Sequence, residues 1–518
     1  MVRRIWATVV LAAAVTAIGV VLWYTRDGIG VNDDGVMFVE GAHNLLAGRG
    51  FSWLTGAGEA RRITGFPPGF SLLLALVGLS GMDLYQGARL LNALSFGGSI
   101  LLTGLLVLKT TRSGPAASLA SLLILVSPQV FRLHVWTMAD GLFLLLLLLT
   151  LYAAGGYVAS GSPLALVAAS LATALAIIVR YAGLALVVAP VLAVLLLKHR
   201  PWNRRLVDLM VATLVPLIPF VALGASNTAA GGSAVNRELA LLMPRPETLV
   251  AYLREMSSWF LPFGLTEGMR GRVMGTILLV LGGVPLSLFF LGAWKGQGGQ
   301  DAGRFAWLPA MPALIVATIL AYLVVLVATI SYFDLNLGTV ERYLSPVFAL
   351  SVALGTSVVC ELVWRGPGWR AAKVVCLLGA VVVAAGLASE TMSVLRAPAP
   401  QWGYNEWRRR NPEAVQVLRS LNPSRPVVTN EIYLFLYLSD RPADQVPILY
   451  DSYLVESRDD VPLQMEVYRD RMEAGAILVL FDTVDAQEGE FPSRETLIQG
   501  LERLAAFAGG EVYDHPGH

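Results

Sequence analysis

The sequence is short of charge, short of lysine and nearly free of cysteine. Of its 518 residues only 14% are Asp, Glu, Lys or Arg, while 55% are hydrophobic; soluble globular chains carry ~25% charged residues. That deficit excludes an ordinary water-soluble domain. A net charge of +1 offers no basic face and excludes nucleic acid as a partner. The two cysteines, Cys360 and Cys376, both fall near the expected cytoplasmic ends of apolar runs, so no disulfide framework is implied. Period-2 alternation is absent, which excludes a membrane-spanning barrel. No Walker A pattern occurs, so there is no ATP-driven pump, and there is neither an internal repeat nor a low-complexity tract. No acceptable N-x-[ST] sequon is present (Asn422 is followed by Pro423), which is compatible with a prokaryotic source.

What is present is a series of apolar runs near twenty residues long. In lipid every backbone polar group must be satisfied within the segment, so such runs read as helices of a polytopic α-helical membrane protein. Hydropathy predicts about eleven spans, at 5–24, 88–108, 115–131, 141–158, 164–179, 182–198, 206–224, 273–294, 307–330, 345–364 and 373–390. Residues 1–24 look like a signal peptide, but no small-residue cleavage motif follows, so they are read as an uncleaved first span. The segment 68–80 is too short to cross and reads as re-entrant or interfacial. The short basic connections Lys109–Arg112, Lys198–Arg205, Lys295–Arg304 and Arg365–Lys373, with Arg3 and Arg4, fall on the cytoplasmic side by the positive-inside rule. The chain's only lysines, Lys109, Lys198, Lys295 and Lys373, all land there. An odd number of spans in a plasma membrane then leaves the N-terminus cytoplasmic and the C-terminus outside, together with the loops 25–87 and 225–272.

The span middles lack ionisable residues: Asp208 and Glu361 sit at cytoplasmic ends, Arg180 and Glu390 at outer ends. An ion-coupled transporter needs such groups at mid-depth, so chemistry is expected at the outer surface. After Glu390 the composition changes. The expected organisation is a transmembrane domain over 1–390, a Pro-, Arg- and Trp-rich linker over 391–426 with a helix near 411–420, and a small α/β extracytoplasmic domain over 427–518. In that last part PVVTN (426–430) reads as a strand end, 460–473 as a helix, AILVLF (476–481) as a buried strand and 493–507 as an amphipathic helix.

The outer surface holds the candidate residues. Asp33 and Asp34 open a helix-like run that Gly48 can close. On it Glu40 lies three residues before His43 and four before Asn44, making one polar edge. Arg49, Arg61 and Arg62 follow, and Pro67-Pro68 forbids a continuous helix. A plain N-cap accounts for the two aspartates as well as catalysis does, because orphan N–H groups and the helix dipole favour Asp there. The short loop RLHVWTMADG carries Arg132, His134 and Asp140; capping again explains Asp140, and an interfacial histidine explains His134 better than a metal ligand. Glu341, Arg342 and Tyr343 stand before another apolar run, and Arg180 precedes Tyr181. Snorkelling and interfacial anchoring are the competing explanation for those arginines and tyrosines.

DDGVMFVEGAHNLLAGRGF followed by GFPPGFSLLLAL resembles the first outer loop of the GT-C superfamily of polyprenyl-phosphate-sugar glycosyltransferases. That superfamily includes protein O-mannosyltransferases and the aminoarabinose transferase acting on lipid A. RLLNAL (89–94), VRYAGLAL (179–186) and ERYLSPVFAL (341–350) are similar to further family segments, so the resemblance covers residues 1–390. It implies that Asp33 and Asp34 are the catalytic acidic pair. The family's second carboxylate, often in a Ser-Glu-Pro context, corresponds here to Asp140 in Ala139-Asp140-Gly141. Arg342, Tyr343, Arg62 and Arg89 are the implied donor-phosphate residues, and Glu40, His43, His134, Arg180 and Glu341 candidate pocket residues.

The implied activity is transfer of a sugar from a polyprenyl phosphate in the bilayer to an envelope glycan, lipid or protein. A carboxylate, Asp33, accepts the acceptor's hydroxyl proton, and arginines stabilise the departing phosphate. A single displacement inverts the anomeric centre. No cofactor is required, although paired acids could instead hold a divalent metal ion against the phosphate. The alternatives are a lipid-linked oligosaccharide polymerase or ligase, and a lipid-glycan flippase.

Overall fold

Long apolar runs free of turn residues fold as long helices, and among the described residues seven, of 20–28 residues, are long and apolar enough to cross a membrane. The computed structural model describes residues 2–197, 200–231, 234, 246–259, 310–332, 340–361, 370–396, 403–451, 456–486 and 489–516. The seven helices are α1 (Val2–Tyr24), α4 (Leu84–Thr111), α7 (Asp140–Ser160), α10 (Trp202–Ala229), α12 (Ala310–Tyr332), α13 (Val340–Val359) and α14 (Arg370–Arg396). Between α1 and α4 lie α2 (Asp33–Leu46), the hairpin of β1 (Ser52–Leu54) and β2 (Ala60–Arg62), and α3 (Gly69–Gly78). The ten residues of α3 agree with the expectation that 68–80 does not cross.

Three further expected spans coincide with shorter apolar helices. Residues 115–131 are not continuous: α5 (Gly114–Leu125) ends, and α6 (Pro128–Leu133) begins anew. The break has a local cause, since Ser127 accepts the Val130 N–H at 3.2 Å and Pro128 takes the first helical position. Residues 164–179 form α8 (Pro163–Val179). The run expected at 182–198 starts as a 3-10 helix (Tyr181–Val187) and becomes α9 (Val188–Leu196). The expected span 273–294, like Lys198 and Lys295, lies outside the described residues. A short amphipathic helix, α11 (Pro246–Ser258), packs against α13.

The bundle has two polar ends. At one, Asp208 near the start of α10 pairs with Arg200 at 2.7 Å and accepts the Tyr157 hydroxyl at 2.7 Å. At the other stands Asp140, seventeen residues before Tyr157 on α7, a separation of about 25 Å along the axis. Lys109 and Arg112 mark the first end, at the terminus of α4 remote from Asn92, which donates to the Trp136 carbonyl beside Asp140's loop at 2.7 Å.

Beyond α14 come α15 (Tyr404–Arg410), α16 (Pro412–Ser420), α17 (Ile432–Ser439) and α18 (Val461–Glu473), with the one-turn helices α19 (Thr483–Ala486) and α20 (Arg494–Leu497). A five-stranded sheet runs β4 (Asp444–Gln445), β3 (Val427–Thr429), β7 (Ile477–Phe481), β9 (Gly510–Asp514), β8 (Glu502–Phe507); a separate ribbon joins β5 (Tyr450–Asp451) to β6 (Glu456–Ser457). β3 is parallel to β4 and β7, whereas β9 is antiparallel to β7 and β8. All five residues of β7 are buried because both sheet faces are covered. Ile477, Val479 and Phe481 face a core that includes Leu418, Val31 and Val36, with Trp407 packed against it; Leu478 and Leu480 face Tyr468 and Met472 of α18. The first loop thus supplies part of the sheet's own core.

One expectation fails here. Residues 493–507 are not an amphipathic helix: α20 stops at Leu497, Gly500 takes φ +81°, and Glu502–Phe507 pairs with β9. Gly509-Gly510 after that strand is the hairpin signal that outweighs the helical spacing.

Candidate active site

The acidic pair starts α2, but neither aspartate caps it. Asn32 has extended backbone and its side chain accepts the Gly35 N–H at 3.1 Å, which makes Asn32 the cap. Asp33 and Asp34 lie in the first helical turn, where the dipole favours them and their carboxylates are free to project. Gly48, at φ +74°, closes the far end, as the sequence suggests. Two glycines press α2 into place. A Cβ on Gly35 would stand 3.0 Å from the Thr137 carbonyl, and one on Gly41 would enter the Phe51 ring.

Asp34 belongs to a relay of charges drawn from four separate segments. Arg342, in the first turn of α13, donates from one terminal nitrogen to Asp34 at 3.1 Å and from Nε to Asp140 at 3.0 Å. Asp140 is also ion-paired with Arg180, the extended residue that ends α8. Its helix has Ala139 at the cap position with no side-chain bond, so Asp140 does not serve as a cap. Burial falls along the relay: the side chain of Asp140 is 4% exposed, Arg180 16%, Arg342 21% and Asp34 40%. A buried carboxylate between two guanidiniums thus leads outward to a half-exposed one. The Tyr343 ring lies 5.3 Å from the Arg180 guanidinium and 5.5 Å from that of Arg342, and it supports both by cation–π attraction. Tyr343 is in turn held through its carbonyl, which accepts the Tyr322 hydroxyl at 3.0 Å.

Asp33 faces a different partner, the Tyr404 hydroxyl, which donates to its Oδ1. Crowding by protein atoms raises the Asp33 carboxyl above its ordinary value; Tyr404 opposes that rise and Asp34 adds to it. Solvent still reaches the carboxylate and limits the effect.

The other candidates are placed as follows. Glu341 pairs with Arg132 one residue from Arg342, both about half exposed. His134 is fully buried, with Nδ1 2.7 Å from the Val130 carbonyl and its ring stacked 4.7 Å from Phe96; burial lowers it to about 4, so it is a neutral core histidine. Arg89 is not brought to the relay, because its guanidinium binds the Leu22 carbonyl, Thr25 and Gln86 and locks α4 to the end of α1. Glu40 accepts from Asn44 at 2.8 Å, and Asn44 accepts from Arg49 at 2.5 Å, a latch within the first loop. His43 and Arg62 are exposed, and neither forms an ion pair among the described residues. No group of three or more His, Cys, Asp or Glu residues is placed to share a metal ion among the described residues. Asp34 and Asp140 are engaged by arginines instead. Sequence reasoning missed Asn32 and Tyr404: an Asn before Asp-Asp is a legible cap signal, whereas nothing local marks Tyr404.

No family model matches the sequence, and no curated protein does. Solved structures match it from end to end. ArnT from Cupriavidus metallidurans in the apo state covers 99% of this chain with 98% of its own, at a TM-score of 0.56 and 15% identity. The same protein bound to undecaprenyl phosphate covers 98% with 97% of its own, at 0.52 and 16%. Arabinofuranosyltransferase AftD from Mycobacteria covers 100% of this chain with 40% of its own, at 0.51 and 14%. At such identities the likeness is one of fold: the chain has the fold of ArnT and of AftD.

Proposed function

We propose that the protein is a membrane glycosyltransferase that moves a sugar from a polyprenyl-phosphate donor to a cell-envelope glycan, lipid or protein. The observation that carries this reading is the convergence of Asp34, Arg342, Asp140 and Arg180 beside Asp33 at one polar end of an apolar bundle. Such an arrangement suits a donor whose tail stays in lipid and whose phosphate stays at the helix ends. The fold shared with ArnT, solved with undecaprenyl phosphate bound, supports the same donor class. The basic connections at the opposite end of the bundle support an outward-facing site.

The reaction is a single displacement. The acceptor oxygen attacks the anomeric carbon as the bond from that carbon to the phosphate oxygen breaks. Asp33 takes the hydroxyl proton, and the polyprenyl phosphate departs with the electron pair. Arg342 and Arg180 face the developing charge on the leaving group. The carboxylates that hold them keep the guanidiniums positioned before the donor arrives, so little reorganisation is needed during the reaction. Asp34, the more exposed partner of Arg342, is the one a phosphate can displace. A displacement of this kind inverts the anomeric centre.

The test is to incubate the purified full-length protein with a panel of radiolabelled polyprenyl-phosphate sugars and envelope extract, scoring transfer and hydrolysis. Turnover of at least one donor is expected. A folded protein that turns over none of them, and does not bind undecaprenyl phosphate, overturns the reading.

A further inference from the structure

The segment following the last long helix makes an unusually direct contact with the acidic pair. Gly403 adopts φ +69°, and a Cβ there would collide with the Val31 carbonyl, so only glycine allows the approach. The Tyr404 N–H then donates to that carbonyl at 2.9 Å. The Asn405 side chain donates to the Ile29 carbonyl at 3.2 Å and accepts the Tyr437 hydroxyl at 3.3 Å. These three residues grip the strand-like stretch that leads into Asp33, and that stretch is bridged on its other side to Trp136. Within the grip, one contact does something the others do not: the Tyr404 hydroxyl reaches Oδ1 of Asp33.

We propose that Tyr404 is a positioning residue for Asp33, so that the part of the chain beyond the membrane helices contributes directly to the transfer site. This rests on the reading of Asp33 as proton acceptor. A carboxylate has two oxygens and a freely turning bond. With Oδ1 held by the phenol, the carboxylate is fixed in one orientation and Oδ2, which has no side-chain donor among the described residues, is the oxygen left to take the acceptor's proton. The arrangement follows a general pattern in which a base is oriented by a third group. The backbone contacts of Gly403 and Tyr404 and the Asn405 side chain already join the segments, so the hydroxyl is not needed to hold them together. The charged and titratable groups around Asp33 are its neighbour Asp34, the Tyr404 phenol, and Glu431 at the start of α17, whose carboxylate accepts the Thr483 hydroxyl at 2.7 Å. Arg342 reaches Asp34, not Asp33. Asp34 and Glu431 both disfavour an ionised Asp33, leaving Tyr404 as the side chain that favours it.

Tyr404→Phe keeps the ring against Tyr437 and removes only the hydroxyl. In the full-length protein, with radiolabelled polyprenyl-phosphate sugars as donors and hydrolysis as the readout, it is expected to lower the plateau rate by roughly 10–100-fold. The acid limb of the pH–rate profile should move to higher pH, with undecaprenyl phosphate binding unchanged. Asn405→Ala, which loosens the grip and spares the phenol, should leave the limb where it is. An unmoved limb in Tyr404→Phe, or an equal displacement in Asn405→Ala, overturns the proposal and leaves Tyr404 a structural contact. Asp33→Asn run in parallel separates the two layers of argument. If that variant is active, the assignment of Asp33 itself has failed; if it is inactive while Tyr404→Phe is normal, only the positioning role has.

Discussion

Replacing Asp33 by Asn, side by side with replacing Asn32 by Ala, separates two roles that neighbouring residues play. Asn32 accepts the Gly35 N–H at 3.1 Å and is the cap of α2. Removing that bond should cost about 1 kcal/mol of stability, without touching a group that handles protons. Asp33 makes no capping bond, so Asp33→Asn should leave thermal stability nearly unchanged. Its effect should fall on the chemical step. Asn is nearly isosteric and can still accept from Tyr404, but it cannot take the acceptor's proton. Loss of a general base costs roughly 10²–10⁴-fold in rate, equivalent to about 2.7–5.4 kcal/mol in the barrier. The assay pairs a melting curve in detergent with single-turnover transfer from a radiolabelled donor, at saturating donor so that binding does not contribute. The expected pattern is crossed: Asn32→Ala melts earlier yet transfers, while Asp33→Asn melts normally and does not. A stable Asp33→Asn protein with near-normal transfer refutes the argument, and so would an Asn32→Ala protein that keeps its fold but loses transfer as fully as Asp33→Asn.

Other expectations follow from the same geometry. Asp140→Asn removes the anion that Arg180 and Arg342 share in a buried site, so a loss of about 3–5 kcal/mol is expected; an unchanged melting temperature would show the pair to be solvated. Arg342→Lys keeps charge but loses the fork that spans Asp34 and Asp140, so transfer should weaken by roughly 10-fold or more and Arg342→Ala should be worse; equal kinetics in all three proteins would reduce Arg342 to an anchor. Glu255 on α11, which accepts the Trp259 indole N–H at 3.2 Å, is raised to about 7 by burial first and then by Glu341. Its folded form holds a proton that its unfolded form has released, so stability should fall as pH rises from about 4.5 to about 7. Glu255→Gln should flatten that part of a melting-temperature profile, and a profile unchanged by the substitution would refute the shift.

The apolar runs, the glycine closing α2 and the buried strand 477–481 can all be read along the chain, because each rests on short-range physics. Transfer of side chains into lipid adds residue by residue, and a five-residue apolar run needs cover on both faces. The acidic pair was legible for the same reason, as polar residues where a membrane helix has just ended. Pairing across the fold is another matter. Arg342 lies 202 residues from Asp140 and 308 from Asp34, and Tyr404 lies 371 from Asp33. Whether an interfacial arginine snorkels into solvent or grips a carboxylate depends on which helix ends meet, and that follows from packing. Packing sent Arg89 to the end of α1 and buried His134 against Phe96. Local composition sets which segments enter the membrane and where charge gathers; which charge meets which is set by the assembled helices, since ion pairs and hydrogen bonds act over a few ångströms and carry no record of sequence distance.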